Sequence, residues 1–102
     1  MKKNKKYPHG FVGCGKMAEI ILRVLLENQR VKPRGVLVSR RNGRELKKIA
    51  RRLGVDTTTA NFEVARSSQI VWLGVKPFQA GEVLGEIKTG LKPGTSIVSM
   101  MA

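Results

Sequence analysis

Three small residues near the start of this 102-residue chain, Gly13, Gly15 and Ala18, form the pattern G-x-G-x-x-A. In this pattern the first glycine permits a tight turn from a strand into a helix, and the second lets the backbone approach a pyrophosphate. The third small residue lets the helix pack close to the strand. The helix then directs free N–H groups and the positive end of its dipole at the phosphates. The pattern alone is weak evidence, so its meaning depends on the elements around it.

A second polar group, Ser39-Arg40-Arg41-Asn42, follows the next apolar segment of the chain. Sites for NAD usually carry Asp or Glu at this point, where the carboxylate binds the ribose 2′-hydroxyl. No carboxylate stands here, and the guanidinium groups of Arg40 and Arg41 are suited to a 2′-phosphate. The sequence therefore predicts NADP(H) as the cofactor, in preference to NAD(H).

The elements that must position these residues alternate between short apolar segments and segments of helical spacing. The predicted strands span residues 10–13, 35–39, 55–59, 70–75 and 95–101. A first helix is predicted over residues 16–29, and Pro77 suits the first turn of the last helix. Asn42 is the candidate cap of the second helix, with Glu45 three residues on and Gly54 at its end. Asn61 is a candidate cap of a short third helix.

Apolar residues at helical spacing indicate which face of each helix packs on the sheet. They are Met17, Ile20, Ile21, Val24 and Leu25 in the first helix, Leu46, Ile49, Ala50 and Leu53 in the second, and Ala80, Val83, Leu84 and Ile87 in the last. Strands separated by helices require crossover connections and a parallel sheet. The predicted fold class is α/β: a Rossmann-like doubly wound parallel sheet of about five strands in three α/β/α layers.

The chain resembles the N-terminal half of pyrroline-5-carboxylate reductases over nearly all of residues 10–102. The resemblance rests on the segments GFVGCGKMAEIILRVLLENQRVKP, VLVSRRN, LGVDTTTAN, VWLGVKP and SIVSMMA. The combination of G-x-G-x-M-A with V-K-P at this separation is much more specific than the glycine motif alone. The resemblance implies transfer of a hydride from NADPH to the imine of 1-pyrroline-5-carboxylate, which gives L-proline in proline biosynthesis.

The resemblance also implies which residues contact the cofactor. Val12, Gly13, Cys14, Gly15, Lys16 and Met17 form the pyrophosphate loop; Ser39 and Arg40 contact the 2′-phosphate; Asn61 lies on the adenosine side; Gly74, Val75, Lys76 and Pro77 lie beside the nicotinamide-side ribose and phosphates; Met100, Met101 and Ala102 approach the nicotinamide ring. Lys16 stands where the family often has Asn, Gly74 where it often has Ala, and the two methionines where it has smaller residues.

The family continues beyond these elements into a helical domain that forms a homodimer, or a higher homo-oligomer, and most of the imino-acid site. By this resemblance the chain is truncated before that domain, its catalytic residues lie in the missing part, and the fragment alone is inactive. Residues 1–7 are expected to form a basic tail, and residues 8–102 a dinucleotide-binding domain that is incomplete at its C-terminus.

Several single residues can be interpreted as structural as well as functional. Cys14 lies where a helix start could stabilise a thiolate, but without a visible base it is read as a small spacer. His9 has no partners at metal-ligand spacing, so no metal site is predicted. Trp72 is read as a core residue. Lys76 leaves the carboxyl end of a buried strand, where open α/β sheets bind ligands, and is read as functional.

The formal net charge of +13 favours anionic partners. It is concentrated in the lysines of the tail and in a block from Arg40 to Arg52, each of which could equally be a solvated surface. The alternative function is therefore a nucleotide-sensing or nucleic-acid-binding module without catalysis, although no nucleic-acid motif is present. The single cysteine suits a reducing cytoplasm, and no apolar run is long enough for a membrane span.

Overall fold

The computed structural model describes residues 5–100, which form a five-stranded parallel sheet with helices on both faces. The strands are β1 (Tyr7–Val12), β2 (Val36–Ser39), β3 (Asp56–Thr58), β4 (Ser68–Leu73) and β5 (Ser96–Ser99). The helices are α1 (Lys16–Glu27), α2 (Gly43–Leu53), α3 (Asn61–Ser67) and α4 (Ala80–Ile87), with 3₁₀ turns at Pro33–Gly35 and Pro77–Gln79. The predicted Rossmann-like α/β fold is confirmed.

The strand order β3-β2-β1-β4-β5 reverses direction beside β1. Val12, the last residue of β1, is level with Ser39 of β2 and with Leu73 of β4. Leu73 is in turn level with Ser99 of β5. The carboxyl ends of the strands therefore meet at one edge of the sheet. Ligands of open α/β sheets bind at this edge, in the crevice where the strand order reverses.

Each face of the sheet has its own apolar core. One core joins Phe11, Val36 and Val38 to the helices α1 and α2, through residues such as Leu22 and Ile49. The other core joins β-strand residues to the helices α3 and α4; it contains Tyr7, Val12, Leu37, Val64, Ala65, Val71, Leu73, Val75, Val83 and Ile87. The central strands therefore carry apolar residues on both faces, as is typical of parallel sheets covered by helices.

The ends of α2 follow the sequence prediction. The Asn42 side chain accepts hydrogen bonds from the N–H groups of Arg44 and Glu45, at 2.9 and 3.3 Å. Gly54 adopts a left-handed conformation (φ 71°) at the other end, where a residue with a Cβ is strained. The predicted cap of α3 is wrong: Ala60 is the capping residue, and Asn61 begins the helix.

Only part of the predicted apolar face of α1 packs on the sheet: Ile21 and Leu25 are half-buried, and Leu25 contacts the core. Met17 is 63% exposed, Ile20 is 55% exposed and Val24 is 50% exposed, whereas Ala18 and Leu22 are buried. The small side chain of Ala18 lets the start of the helix approach Gly74 closely, and this contact sets which face of α1 meets the sheet. The glycine pattern predicted the close packing of Ala18, but the spacing of the large apolar residues did not indicate that Met17, Ile20 and Val24 would be exposed.

The first strand begins earlier than predicted. Tyr7 was assigned to the basic tail, but it is fully buried and its hydroxyl donates to Asp56 at 2.5 Å. Lys5 pairs with the same carboxylate at 3.2 Å. Burial raises the pKa of Asp56, but the hydrogen bonds from Tyr7 and Lys5 and the charge of Lys5 outweigh it and hold this pKa below its usual value. Both residues are therefore attached to the domain. β5 is the outermost strand on one side of the sheet and is exposed along its length. The predicted strand residue Met101 lies outside the described residues.

Candidate functional site

A groove runs along the carboxyl edge of the sheet and consists of two pockets of similar size. The first, here the arginine pocket, has a volume of about 270 Å³ and is lined by Gly13, Gly15, Arg40, Arg41, Asn61, Gly74, Val75, Lys76, Gln79 and Val83. The second, here the methionine pocket, has a volume of about 280 Å³ and is lined by Gly15, Lys16, Met17, Ala18, Gly74, Val75, Lys76, Pro77 and Met100. The two pockets share Gly15, Gly74, Val75 and Lys76, so they meet at the glycine turn.

The glycine turn is shaped by its own backbone. Gly13 has φ 72°, and a Cβ there would lie 2.5 Å from a methyl group of Val75. Its N–H group and that of Cys14 both donate to the carbonyl of Ser39 at 3.2 Å, which ties the turn to the end of β2. A Cβ on Gly15 would meet no atom within 4 Å, because this residue faces the open groove. The turn therefore needs one glycine for folding and leaves the other free for a ligand.

The N-terminus of α1 follows this turn directly. At the start of the helix, the N–H of Glu19 donates to the carbonyl of Gly15 at 2.9 Å. The earlier N–H groups, those of Lys16, Met17 and Ala18, have no intrahelical acceptor, as at any helix start. Together with the helix dipole they form an anion-binding end at the junction of the two pockets.

A chain of polar contacts organises the arginine pocket. The buried Ser39 hydroxyl donates to Asn61 Oδ1 at 2.7 Å, and Asn61 Nδ2 donates to Glu86 at 3.1 Å. Arg41 pairs with Glu82 at 2.5 Å and lies 3.6 Å from Glu86. The network links the end of β2 to the helices α3 and α4 across the pocket.

Arg40 is held less firmly than its neighbour. Its guanidinium lies 3.9 Å from the nearest Glu45 oxygen, at the limit of an ion pair, and its side chain is 38% exposed. An exposed pair of this geometry contributes little to stability. None of the ten residues that line the arginine pocket carries a carboxylate. The pocket therefore offers two guanidinium groups, of which that of Arg40 is the freer, to an anionic ligand.

The methionine pocket has a mostly apolar lining with two lysines. The Met100 N–H donates to the carbonyl of Leu73 at 2.8 Å, which places its side chain above the end of β4. Its methyl group would lie 3.4 Å from a Cβ on Gly74. The Lys76 N–H is bound by the Gln79 side chain at 3.3 Å, at the start of the 3₁₀ turn before α4. Lys16 and Lys76 form no ion pair within residues 5–100.

Three of the predicted site residues lie beneath the groove instead of on its surface. Val12, Cys14 and Ser39 are buried. Burial is the main cause that raises the pKa of the Cys14 thiol to about 11. The thiol is therefore protonated at neutral pH, which agrees with the interpretation of Cys14 as a small spacer residue. The hydroxyl proton of Ser39 is donated to Asn61 Oδ1, so this buried residue is connected to the arginine pocket through Asn61.

The structure brings the other described site residues together around the groove. Arg40, Asn61, Gly13, Gly15, Gly74, Val75 and Lys76 line the arginine pocket, and Lys16, Met17, Pro77 and Met100 line the methionine pocket. Met101 and Ala102 lie outside the described residues. Sequence reasoning missed Gln79 and Val83. The only available signal was their position in the first turns after the V-K-P segment, at the same edge of the sheet.

Other candidate residues have ordinary structural roles. Trp72 stacks on Phe11 with ring centroids 5.4 Å apart, and its indole N–H donates to His9 Nδ1 at 3.2 Å. Desolvation lowers the pKa of His9, which agrees with this acceptor role. Within residues 5–100 no three metal-ligating side chains are grouped to hold a metal ion. None of the helices in that part of the chain has the length and apolar character to cross a membrane.

Comparison with known proteins connects this groove to a family. The model described as NADP oxidoreductase coenzyme F420-dependent matches residues 9–102. The chain is 36% identical to pyrroline-5-carboxylate reductase 3 of Bos taurus over 93 residues. These aligned residues make up 91% of this chain and 30% of that protein. It is 30% identical to the pyrroline-5-carboxylate reductase of Escherichia coli, with 91% and 35% covered.

The solved structures agree in fold. A pyrroline-5-carboxylate reductase from Coxiella burnetii has a TM-score of 0.86 at 29% identity, covering 96% of this chain and 36% of that one. A Plasmodium falciparum pyrroline carboxylate reductase with NADP bound has a TM-score of 0.77 at 24% identity, covering 99% and 35%. The chain spans about a third of the length of the curated relatives it matches. The resemblance predicted from the sequence is confirmed, and the chain belongs to the family described as NADP oxidoreductase coenzyme F420-dependent.

Proposed function

We propose that this chain binds NADPH in the groove, in preference to NADH, and forms the cofactor-binding part of an oxidoreductase that reduces 1-pyrroline-5-carboxylate to L-proline. The observation that carries the cofactor proposal is the arginine pocket, which contains two guanidinium groups and no lining carboxylate. The substrate proposal rests on the names of the relatives, pyrroline-5-carboxylate reductases. Proline biosynthesis and a cytoplasmic location belong to the same proposal.

The shape of the groove fits a dinucleotide. Two pockets of similar volume meet at an anion-binding helix start, as a ligand with two nucleoside halves and a central pyrophosphate requires. Gly15 faces this junction with open space in front of it, so backbone and pyrophosphate can approach each other closely. The 2′-phosphate of the adenosine half would be held by Arg40 and Arg41, and the adenosine by Asn61.

The nicotinamide half would lie in the methionine pocket. When bound, the cofactor supplies the hydride, and the protein positions it and shapes its surroundings. Lys76 places a cation beside the nicotinamide-side phosphate, and Met100 bounds the ring with an apolar surface that excludes water. The groups that bind the imino acid and donate its proton are proposed to lie outside this chain, in a helical region that also forms a homodimer or a higher oligomer.

The cofactor preference is tested with Arg40→Asp. We expect the Kd for NADPH to rise by about 100-fold, because a charge-assisted hydrogen bond to the 2′-phosphate is replaced by charge repulsion. The Kd for NADH should change by less than about threefold. The matched control is Arg44→Asp, which makes the same charge change on the exposed outer surface of α2, outside both pockets. Binding is measured by quenching of Trp72 fluorescence or by calorimetry.

Equal losses for NADPH and NADH in Arg40→Asp, or equal losses in the two variants, would contradict the proposed 2′-phosphate contact. Absence of any NADPH binding would favour the alternative, a module that binds nucleic acid through the basic surface. The substrate is tested separately, by assay of the protein encoded by the complete reading frame with 1-pyrroline-5-carboxylate and NADPH. Turnover of NADPH that does not depend on this imine would contradict the substrate proposal.

A further inference from the structure

A further cavity, separate from the groove, lies at the amino ends of β4 and β5, whereas the groove lies at the carboxyl ends of the strands. It has a volume of about 230 Å³ and is here termed the cation pocket. It is lined by Lys6, Arg66, Ser67, Ser68, Gln69, Lys92, Pro93, Gly94 and Thr95. Three of these nine residues are cations, and none is a carboxylate. The first residue of β4, Ser68, is level with Tyr7, the first residue of β1, which places this cavity a full strand length from the glycine turn.

The backbone anchors of the three cations are fixed. Lys6 immediately precedes Tyr7, which is fully buried. Lys92 lies in a turn closed by two hydrogen bonds with Thr95, at 3.0 and 3.3 Å. The Arg66 guanidinium is held by Glu63 at 2.6 Å. The backbone positions of Lys6 and Lys92 therefore keep both side chains within reach of the same cavity.

The charges around the cavity are only partly balanced. Glu63 neutralises Arg66, but neither Lys6 nor Lys92 forms an ion pair within residues 5–100. The exposed side chains of Lys6 and Lys92 line the same cavity. The pKa of Lys6 is lowered, chiefly by the neighbouring Lys92, then by desolvation, and least by Arg66. Two neighbouring ammonium groups repel each other, and a dianion between them would replace this repulsion by two charge-assisted hydrogen bonds.

The lining of the cavity indicates the charge of its ligand, because all of its charged side chains are cations. Gln69 and Thr95 add neutral polar groups to the lining. We propose that the cation pocket binds a small phosphate dianion, either inorganic phosphate or a small phosphate monoester, between Lys6 and Lys92. This site is distinct from the groove, since the two share no residue.

The test is a titration of the ¹⁵N-labelled chain followed by the amide signals of Gln69, Gly94 and Thr95. Inorganic phosphate and glycerol 3-phosphate are added in separate arms, each against sodium chloride at equal ionic strength. We expect saturable shifts of these three signals with at least one phosphate and none with chloride. The tighter of the two arms identifies the source of the phosphate group.

Variants identify the residues responsible. Lys92→Gln should weaken phosphate binding by at least about tenfold, the effect of one charge-assisted hydrogen bond, and Lys6→Gln should do the same. The matched control is Lys88→Gln, which removes the same charge from an exposed position at the end of α4, outside the cavity. Non-saturating shifts, equal shifts with chloride, or an equal loss in Lys88→Gln would overturn the proposal. Signals of Gly13 and Gly15 report any phosphate in the groove separately.

Discussion

The two pockets of the groove differ in what holds their side chains in place. In the arginine pocket, polar side chains from three elements are connected by hydrogen bonds and ion pairs, from Ser39 through Asn61 and Glu86 to Arg41. In the methionine pocket the lining is mostly glycine and apolar side chains, and Met17 is 63% exposed. One pocket is organised by directed bonds, and the other by backbone position and close packing.

This difference separates two tasks of a dinucleotide site. A preorganised polar network can discriminate between ligands that differ by one phosphate, because unpaired or repelled charges cost free energy. An apolar pocket discriminates by shape, which is a weaker criterion. We therefore expect changes in the arginine pocket to alter the ratio of NADPH to NADH affinity, and changes in the methionine pocket to leave that ratio unchanged.

The largest expected effect comes from Gly15, one of the four residues that both pockets share. Gly15→Val places a branched side chain in the open space at the junction, where no protein atom lies within 4 Å. The Kd for NADPH and that for NADH should both rise by at least about 100-fold, which corresponds to about 2.7 kcal/mol. Thermal stability should hardly change, because Gly15 has an extended backbone (φ −85°, ψ −166°) that any residue can adopt.

The matched control for this change is Gly81→Val, since Gly81 on α4 also has open space around it but lies outside both pockets. It should leave both affinities unchanged. Retained NADPH binding in Gly15→Val would show that the pyrophosphate does not cross this junction. A change in the NADPH to NADH ratio would show that the two pockets are not independent in the way described above.

The second prediction concerns the packing of the methionine pocket. A Cβ on Gly74 would lie 3.0 Å from Ala18 Cβ, 3.0 Å from the Gly13 carbonyl oxygen and 3.4 Å from Met100 Cε. Gly74→Ala should therefore lower the free energy of unfolding by about 1–2 kcal/mol, the usual cost of an extra methyl group in a filled site. In a Met100→Ala background the loss should be smaller by about 0.5–1 kcal/mol, because the added methyl group then no longer meets Met100 Cε.

Urea unfolding of the four proteins in this double-mutant cycle gives the coupling. Gly81→Ala is the control for the general effect of replacing glycine, and we expect it to raise stability slightly because it restricts the unfolded chain. Strictly additive losses would contradict the proposed contact between residues 74 and 100. The family resemblance motivates this pair: this chain has a smaller residue at Gly74 and a larger one at Met100, and the methionine methyl partly fills the space above the glycine.

The comparison of the pockets also shows what could be predicted from the sequence. The fold could be predicted, because apolar segments and helical spacing alternate regularly, and the cap at Asn42 and the end at Gly54 are local signals. The backbone parts of the site could be predicted for the same reason: the glycine pattern and the strand ends determine where Gly13, Gly15 and Gly74 lie.

The remaining features depend on contacts between residues distant in sequence. Asn61 looks like a helix cap, but in the structure its side chain is bound by Ser39 and Glu86, from two other elements. The exposure of Met17 and Ile20 follows from the close approach of Ala18 to the sheet, and no periodicity indicates it. The ion pairs of Arg41 with α4 depend on a crossover that places residues 41 and 82 side by side.

Those ion pairs are the basis of the smallest expected effect. Glu82 binds the guanidinium of Arg41 at 2.5 Å and so competes with a 2′-phosphate for the same donor. In Glu82→Gln the Kd for NADPH should fall by about two- to fivefold, because Arg41 is released and a nearby negative charge is removed. NADH, which has no 2′-phosphate, should bind as before. The pair is exposed on both sides, so its loss should change the free energy of unfolding by less than about 0.5 kcal/mol.

The control for this change is Glu27→Gln, which removes a carboxylate at the end of α1, outside both pockets of the groove. A similar gain in this variant would assign the effect to net charge alone, and a gain for NADH as large as that for NADPH would exclude the 2′-phosphate as its cause. A gain confined to NADPH and to Glu82→Gln would mean that the network across the arginine pocket has two functions. It positions Asn61 through Glu86, and it holds Arg41 back until a 2′-phosphate displaces Glu82.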